Sequence, residues 1–497
     1  MHRLIIFLKQ LLGMRRHEIR AAGTWMRKNY ADRSLPVKLV LFTGWALKAM
    51  WKTIPDALSW VEFNDPVSRT SLWLRDPNPL ENHPWRDDPD AALPAEAEVV
   101  VIGAGFAGAG AAYHWSKHAK AKMVVLEMNE AASGAGGRNA GVVTRGRYYH
   151  FVHSTVLKHL QRQRPDLSEA ERIEWAHEHA RPYVEACEKS ADLIERTVRE
   201  EKIDCDYVKR GWVWATDEKS KDVPAASARM GEQVGHTDWA RLSGAEAMDK
   251  GGIRTDNDAG YSRGTAAWHP AKWIWGLLLV ALRSPHVQYF SRTKVTAVKD
   301  AGDHYEVRTD RGMIRARYVL NAMESHTASL FPQFRGINRV VQSQAAWGSS
   351  DGGTMKEDVA LSSPSMFFAR TQGGVLFGSD MSRIRDDQAG RNRPSRFITN
   401  YVAGWLRPFF DIQRLKVSNE WTGTVGMTPD EFPLIGLQDD KRLYMVGGLA
   451  GSGSGVSFLA TQFVVFRMLN IECPDYYPEK YFSPSRFFQA SLDSHGP

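Results

Sequence analysis

The chain has 497 residues, of which 43% are apolar and 24% charged, which is ordinary for a globular protein and long enough for two domains. Its formal net charge is +7. Residues 1–60 contain eleven Lys or Arg against three Asp or Glu, which leaves 53 basic and 54 acidic residues in the rest of the chain. The body is therefore neutral, which disfavours a nucleic-acid-binding surface, whereas the basic N-terminal segment is suited to a membrane surface or an acidic partner protein.

Cysteine usage points to a reducing compartment. The three cysteines, Cys187, Cys205 and Cys473, form no C-x-x-C pair and have no histidine spacing typical of zinc or iron–sulfur sites, so we expect no metal. No apolar run reaches the roughly 18 residues that span a bilayer, and Leu39–Leu47, flanked by lysines, is better suited to lying on a membrane. We expect a cytoplasmic protein, with peripheral attachment to the cytoplasmic membrane face left open.

The N-terminal part has two predicted segments. Polar residues recur every seven positions over residues 2–17, a basic amphipathic helix whose apolar face would pack on the protein, lie on a membrane or serve as a presequence. We assign residues 1–75 to this helical extension. Residues 76–95 contain five prolines and many acids, which predicts an exposed linker.

From Glu98 the pattern becomes strand, alanine-rich helix and strand, a β-α-β unit that ends at Glu127. Helices are predicted over Glu169–Arg181 and Val184–Glu201, and residues 287–321 alternate as an antiparallel meander leading into a buried strand. The fold class is thus α/β (α+β): a Rossmann-like nucleotide-binding domain with an antiparallel-sheet substrate domain. We assign the first to residues 96–205, 286–335 and 421–475, the second to 206–285 and 336–420, and a tail to 476–497.

Gly103, Gly105 and Gly108 have the G-x-G-x-x-G spacing between a predicted strand and a predicted helix. The first glycine permits the tight turn, the second lets the backbone approach a pyrophosphate, and the third lets the helix pack closely on the strand. Glu127 follows 24 residues after Gly103, where a carboxylate can accept from ribose hydroxyls. The motif predicts a dinucleotide, and the acid makes NADP the least suitable one.

Three further segments narrow the choice of dinucleotide: "AASGAGGRNAGVV" at 131–143, "EWTGTVGMTPDEFPLIG" at 420–436 and "GGLAGSGSGVSF" at 447–458. With them, the chain resembles the D-amino-acid-oxidase superfamily of FAD-dependent amine oxidoreductases, and within it most resembles the γ-glutamylputrescine oxidoreductase group. The matching text covers about residues 70–480.

This resemblance implies that FAD is the cofactor and which residues surround it. Backbone at Val295 would touch the adenine, and the glycine turn near residue 450 would place amides beside the flavin ring, where a helix N-terminus stabilises the negative charge of the reduced ring. The implied FAD-binding set is Gly103, Gly105, Phe106, Ala107, Gly108, Glu127, Ser133, Gly134, Arg138, Asn139, Ala140, Val295, Gly448, Gly451, Ser452, Gly453, Ser454, Gly455 and Val456.

The sequence also departs from the family pattern. Met427 and Arg138 stand at roughly the positions where relatives tether the flavin through cysteine or histidine, so we expect FAD to be held non-covalently. Relatives carry G-H-G at the C-terminal turn, whereas this chain has Gly453-Ser454-Gly455. Because this histidine is missing, the resemblance does not identify the substrate.

Aromatic residues dominate the candidate substrate positions. Trp212 and Trp214 share one strand face, and Tyr148 follows the segment at 131–143. Such rings suit an amine through cation–π contact, although most tryptophans serve only to pack the core or the surface. The remaining candidates each have an ordinary structural alternative, such as a turn-stabilising histidine or a solvated arginine. The candidate catalytic and substrate-pocket residues are Trp268, His269, Tyr149 and Arg370.

The resemblance implies an FAD-dependent oxidoreductase that oxidises the C–N bond of a primary or secondary amine or an amino acid to an imine. With dioxygen as acceptor the second product is hydrogen peroxide. One alternative is a membrane-associated dehydrogenase that passes electrons to a quinone or a carrier protein. An alternative of another class is a non-catalytic FAD-binding subunit of a complex.

Overall fold

The computed structural model describes residues 5, 8, 33–146, 148–351, 353–439, 441–473 and 477–488. The expected amphipathic helix over residues 2–17 lies outside these residues, apart from Ile5 and Leu8. Within the described part of the chain, no helix is long and apolar enough to cross a membrane.

The first sheet is the predicted Rossmann-like one. Its strands are β2 (Glu96–Ile102), β3 (Met123–Leu126), β10 (Val287–Phe290), β11 (Val295–Asp300), β12 (Tyr305–Thr309), β13 (Gly312–Asn321), β19 (Leu434–Leu437) and β20 (Leu443–Gly447). Strands β10, β3, β2, β13 and β20 run parallel, and β13 continues into the antiparallel meander of β12 and β11. The parallel strands are almost continuous apolar runs because both faces of the sheet are covered.

The second sheet is the predicted substrate sheet, and most of its pairs are antiparallel. Its strands are β1 (Val61–Ser68), β6 (Trp212–Ala215), β7 (Trp239–Leu242), β8 (Ala259–Ser262), β14 (Arg339–Asp351), β15 (Ala360–Ser363), β16 (Met366–Thr371), β17 (Gly374–Arg383) and β18 (Arg414–Met427). Their order in the sheet is β1-β18-β14-β17-β16-β15-β6-β8-β7. A small third sheet, ordered β4-β9-β5, pairs β4 (Val142–Val143), β9 (Ala266–Ala267) and β5 (Val208–Lys209).

Helices cover both sheets. They are α1 (Leu35–Lys48), α2 (Ile54–Ala57), α3 (Phe106–His118), α4 (Tyr149–Gln163), α5 (Glu169–Glu201), α6 (Val223–Val234), α7 (Gly244–Gly251), α8 (Pro270–Ala281), α9 (Thr327–Leu330), α10 (Arg396–Phe410), α11 (Gly453–Met468) and α12 (Glu479–Phe482).

Helix α5 corrects the expectation of two helices, because it continues through Pro182. Ser168 and Glu171 start it with a reciprocal capping box. Buried residues on both sides of the proline, among them Ala180 and Tyr183, hold it as one helix despite the lost N–H donor.

The two faces of the nine-stranded sheet pack against different layers. Ala345 and Trp347 belong to the core that also contains the residues of α3 and α11, whereas their neighbour Ala346 packs in the core that contains α10. Alternation along a strand puts these side chains on opposite faces. Ala345, Trp347 and Trp421 therefore lie on the face towards α3 and α11, which we name the flavin-side face after the expected cofactor.

The segment before the dinucleotide motif is more integrated than expected. Strand β1, which lies within the predicted extension, pairs parallel with β18 at the edge of the large sheet. The predicted exposed linker is anchored by two buried side chains, Leu80 and Trp85, and the indole of Trp85 donates to the carbonyl of Ser291 at 2.7 Å. The expectation of an exposed linker is therefore wrong at these two residues. Burial of large apolar side chains is favourable even in a proline-rich segment. Strand β18 also runs across residue 421, where we expected a domain boundary.

Candidate flavin site

The three glycines of the dinucleotide motif are needed for different reasons. A Cβ on Gly108 would lie 1.8 Å from the carbonyl oxygen of Gly103, and one on Gly103 would lie 2.7 Å from the carbonyl oxygen of Ala322. Gly103 also has φ +109°, which favours glycine. A Cβ on Gly105, in contrast, would meet no atom within 4 Å. Gly103 and Gly108 thus serve the packing of the turn, while Gly105 faces open space.

Helix α3 begins directly at this open space, with Gly105 as its N-cap. The backbone amides of Phe106, Ala107 and Gly108 donate to no described residue, as expected for the first turn of a helix. An anion placed against these amides would satisfy them and would interact favourably with the helix dipole.

Glu127 follows β3 at the same edge of the sheet. Its carboxylate accepts from the amides of Ala104 and Asn129, both at 2.9 Å, and burial raises its pKa. The carbonyl of Glu127 accepts from the amide of Thr293 at 2.8 Å, two residues before Val295, which begins β11. The structure therefore brings Val295 to the side of the turn where Glu127 lies.

The loop at residues 131–140, which we call the flavin loop, closes over the dinucleotide turn. A Cβ on Gly136 would lie 3.6 Å from the amide nitrogen of Phe106, whereas Gly134, like Gly105, faces open space. Asn139 shapes this loop from within: its amide group donates to the carbonyls of Ala135 and Gly136, and its Oδ1 accepts from the Gly141 amide. Asn139 is therefore fully engaged by its own loop.

Arg138 joins this loop to the large sheet. Its Nε donates to the carbonyl of Ser133 at 2.8 Å, and its own carbonyl accepts from the indole of Trp421 on β18 at 3.0 Å. Burial lowers the pKa of Arg138, although an arginine stays charged. A half-buried cation without an ion pair among the described residues suits an anionic group nearby.

Helix α11 supplies the second set of amides. The amides of Gly451, Gly453 and Ser454 donate to no described residue, whereas those of Gly455 and Val456 are taken by the carbonyl of Ser452. The amide of Ser452 donates to Leu449, and that of Gly448 to Glu324. Only part of the expected amide set is therefore available for the flavin ring.

The N-termini of α3 and α11 meet. A Cβ on Gly453 would lie 3.8 Å from the ring of Phe106. One on Gly455 would lie 2.4 Å from Oγ1 of Thr144, which is buried and has no partner among the described residues. Open space at Gly105 and Gly134, unpaired helix-terminal amides and this orphaned hydroxyl fit a dinucleotide cofactor.

The sequence matches the family model of FAD dependent oxidoreductases over residues 98–464. The chain belongs to this family. Its cofactor is FAD, and the match covers both sheets around the site described above, apart from β1 and the first two residues of β2.

Known proteins agree with this assignment. The probable oxidoreductase OrdL of Haemophilus influenzae is 23% identical over 396 residues, which are 75% of this chain and 83% of that protein. Among solved structures, glycine oxidase from Geobacillus kaustophilus matches with a TM-score of 0.62 at 17% identity, over 79% of this chain and 99% of that one. L-proline dehydrogenase from P. horikoshii matches with a TM-score of 0.64 at 16% identity, over 80% and 99%. At these identities the structures show a shared fold.

An aromatic cluster lies beyond the flavin loop; we define it as Tyr148, Trp212, Trp214 and Trp239. Tyr148 stacks on Trp214 with ring centroids 4.7 Å apart and meets Trp239 edge-on at 5.4 Å. Trp212 meets Trp239 at 5.1 Å and donates to the hydroxyl of Ser362. Nε1 of Trp239 is buried without a partner among the described residues. Tyr148 lies four residues along the chain from Thr144, the residue that contacts Gly455 at the N-terminus of α11.

Trp268 and His269 are placed differently from each other. Trp268 stacks on Phe106 at 5.6 Å, beside the dinucleotide turn, and its buried Nε1 has no described partner. His269 is the N-cap of α8: Nδ1 accepts from the amide of Lys272, and Nε2 lies 3.5 Å from the carboxylate of Asp76. His269 is therefore a buried, turn-stabilising histidine with both ring nitrogens engaged.

Tyr149 and Arg370 do not join the aromatic cluster. The hydroxyl of Tyr149 lies 3.1 Å from Nδ1 of His177, and its ring packs among the histidines of α4 and α5. Arg370 follows Ala369, which faces the flavin-side core, so alternation puts Arg370 on the opposite face of the sheet. Arg370 is thus on the far side of its sheet from the flavin-side core, and Tyr149 contacts histidines rather than the cluster tryptophans.

Sequence reasoning missed Glu324, whose carboxylate links the two sheets. Oε2 accepts from the Gly448 amide at 2.9 Å, and Oε1 accepts from the Gly426 amide of β18 at 3.1 Å. Burial raises the pKa of Glu324 to about 7, while these amides act in the opposite direction. Glu324 also has φ +49°, unusual for a residue with a side chain. An acid directly after a buried strand, in "YVLNAMESH", was the available signal.

Sequence reasoning also missed Ser71 and Trp73, which hold the flavin loop from the N-terminal side. The Ser71 hydroxyl donates to the carbonyl of Gly137 at 2.5 Å. The indole of Trp73 donates to the carbonyl of Asn139 at 2.7 Å, and a Cβ on Gly141 would lie 2.4 Å from its ring. No sequence signal links these residues, because their contacts span more than sixty positions.

Proposed function

We propose that this FAD-dependent oxidoreductase oxidises the C–N bond of a primary or secondary amine or an amino acid to an imine. The observation that carries the proposal is the aromatic cluster, which follows the α11-contacting residue Thr144 in the chain and whose ring faces suit an amine substrate. The names of glycine oxidase and L-proline dehydrogenase describe enzymes that act on amino acids, which supports the same substrate class.

We further propose how the chain holds FAD, without a covalent link. The amides of Phe106, Ala107 and Gly108 would bind the pyrophosphate, Glu127 would accept from the ribose and the backbone of Val295 would contact the adenine. The unpaired amides of Gly451, Gly453 and Ser454, together with the Thr144 hydroxyl, would hold the flavin ring. Acid precipitation tests the mode of attachment, since a non-covalent flavin leaves the protein pellet colourless.

The chemistry that FAD would supply here is acceptance of a hydride from the carbon next to the substrate nitrogen. The chain's own contribution is orientation and exclusion of water. Tyr148, Trp214 and Trp239 present ring faces to the substrate. Exclusion of water lowers the pKa of the bound amine, so that it loses its proton to solvent before the neighbouring C–H bond breaks. No described residue has to act as a dedicated base. The Trp239 indole N–H is suited to donate to a substrate carboxylate.

Anaerobic titration of the purified protein with a panel of amines and amino acids tests the proposal. Loss of the flavin band on addition of one of these compounds supports it. A yellow protein that none of them bleaches argues for the rival proposal, a non-catalytic FAD-binding subunit.

We propose dioxygen as the electron acceptor, with hydrogen peroxide as product. Admitting air to the substrate-reduced protein tests this, because an oxidase regains its colour within a few turnover times and releases peroxide. The second candidate is a dehydrogenase that reduces a quinone at a membrane, which the exposed apolar helix α1 favours. Slow return of colour in air and fast return with a soluble quinone would select the dehydrogenase.

A further inference from the structure

Helix α1 exposes an apolar surface that the described part of the protein does not cover. None of its fourteen residues is buried, and its sequence "LPVKLVLFTGWALK" is largely apolar. Val40 is 70% exposed and Leu35 65%. A helix that is apolar on most of its faces normally lies in a core or in a membrane. The exposed large apolar residues of α1 are Leu35, Val37, Leu39, Val40, Leu41 and Leu47.

The remainder of the described surface has no comparable run. Beyond residue 60, exposed large apolar side chains occur singly, as at Ile173, Leu279, Met313 and Ile471. Scattered residues of this kind are normal on soluble proteins, whereas a contiguous group marks an interaction site. The concentration of exposed apolar residues in α1 therefore needs a partner.

The C-terminal end of α1 is fixed to the protein. The indole of Trp45 donates to the hydroxyl of Tyr401 on α10 at 3.1 Å, and the two rings meet at 5.5 Å. Ala49 and Met50, in the π-helical turn after α1, are buried, as is Ile54 of α2. Because α10 covers the face of the large sheet opposite the flavin-side core, α1 is attached away from the FAD site.

Charge identifies the partner. Residues 1–60 carry eleven basic and three acidic residues, and Lys48 and Lys52 lie at the fixed end of α1. The rest of the chain is close to neutral, so electrostatic attraction to an anionic surface is confined to the segment that also exposes the apolar side chains. Apolar insertion together with basic charge is the combination that holds interfacial helices on anionic bilayers.

The length of α1 decides how it would lie. Fourteen residues rise about 21 Å, which is shorter than the roughly 30 Å hydrocarbon core of a bilayer. We propose that α1 lies in the interface of an anionic lipid bilayer, with Leu39, Val40 and Leu47 in the acyl boundary and Lys48 and Lys52 among the headgroups. This attachment concerns a surface remote from the FAD site and does not depend on which substrate is oxidised.

Sedimentation of the full-length holoprotein with vesicles tests the proposal. Vesicles of phosphatidylglycerol and phosphatidylcholine are compared with vesicles of phosphatidylcholine alone, at low and high salt. We expect binding to the anionic vesicles that weakens with salt. The triple variant Leu39→Ser, Val40→Ser, Leu47→Ser should bind at least about tenfold more weakly, since three large apolar side chains are removed. The control Leu279→Ser, Met313→Ser, Ile471→Ser should bind like the wild type.

Both variants should retain the flavin spectrum, which shows that they fold. The proposal is overturned if the wild type binds neither kind of vesicle, or if the α1 variant binds as well as the wild type, which would assign binding to residues 1–32. It is also overturned if light scattering shows a dimer that the α1 variant converts to a monomer, because the apolar surface would then be covered by a second copy of the chain.

Discussion

The indole Nε1 of Trp73 donates a hydrogen bond to the carbonyl oxygen of Asn139 at 2.7 Å. This bond joins the segment before the dinucleotide motif to the loop that closes over it. The Trp73 ring also packs against Gly141 and meets the ring of His269 edge-on at 5.2 Å. The flavin loop is therefore held in place by residues that precede the FAD-binding domain in sequence.

Replacing Trp73 with Phe should weaken FAD binding about fivefold, because one hydrogen bond to the loop is lost while most of the ring remains. Fluorescence titration of the FAD-free protein measures the dissociation constant. Trp115→Phe is the matched control: Trp115 is equally buried and donates its indole N–H to the carbonyl of Ala121, at the far end of α3. Equal losses of FAD affinity in both variants would contradict a specific role for Trp73.

Two glycines of the same turn should respond in opposite ways to alanine. Gly105→Ala should leave the FAD-free protein about as stable as the wild type and abolish FAD binding, because its methyl group occupies the open space. Gly108→Ala should destabilise the FAD-free protein by several kcal/mol, since its methyl group meets the Gly103 carbonyl. Thermal unfolding with and without FAD separates the two effects. Normal FAD binding by Gly105→Ala would show that the pyrophosphate does not bind at this turn.

Glu324 should make the stability of the FAD-free protein depend on pH. Its folded pKa of about 7 lies above the ordinary glutamate value, so folding takes up a proton between about pH 4.5 and pH 7. Stability should therefore fall as pH rises through this window, by up to about 1.4 kcal/mol per pH unit, and then level off. Denaturant unfolding between pH 5 and pH 8 measures this.

The side chain in Glu324→Gln is uncharged at every pH, so the variant should lack this contribution to the pH dependence of stability. The gap in stability between wild type and variant should shrink as pH rises, because only the wild type gains an unfavourable buried charge. Glu62→Gln, at an exposed position on β1, is the control and should follow the wild-type curve. Parallel curves for wild type and Glu324→Gln would assign the pH dependence to other groups.

Neighbouring tyrosines should differ in their effect on catalysis. Tyr148→Leu should raise KM for the amine between about threefold and thirtyfold, as a cation–π face is lost, and should leave the flavin spectrum unchanged. Tyr149→Phe removes only the hydroxyl that meets His177 and should leave KM unchanged. Steady-state kinetics on the substrate found by titration provide the comparison. An unchanged KM for Tyr148→Leu would argue against the aromatic cluster as the substrate site.

The sequence by itself determined the β-α-β unit, the dinucleotide turn and the Glu127 position. These features are local, since a strand, a glycine turn and a helix N-terminus are set by residues within about thirty positions. The family resemblance carried the FAD assignment beyond what the turn alone permits.

Only the tertiary structure decided which side chains meet. It placed Tyr148 rather than Tyr149 against the tryptophans, made His269 a helix cap and put Arg370 on the other face of its sheet. It also brought Trp73 to the flavin loop and Glu324 to the turn that precedes α11. These contacts depend on strand register and on chain segments tens to hundreds of residues apart, and no local pattern encodes such a pairing.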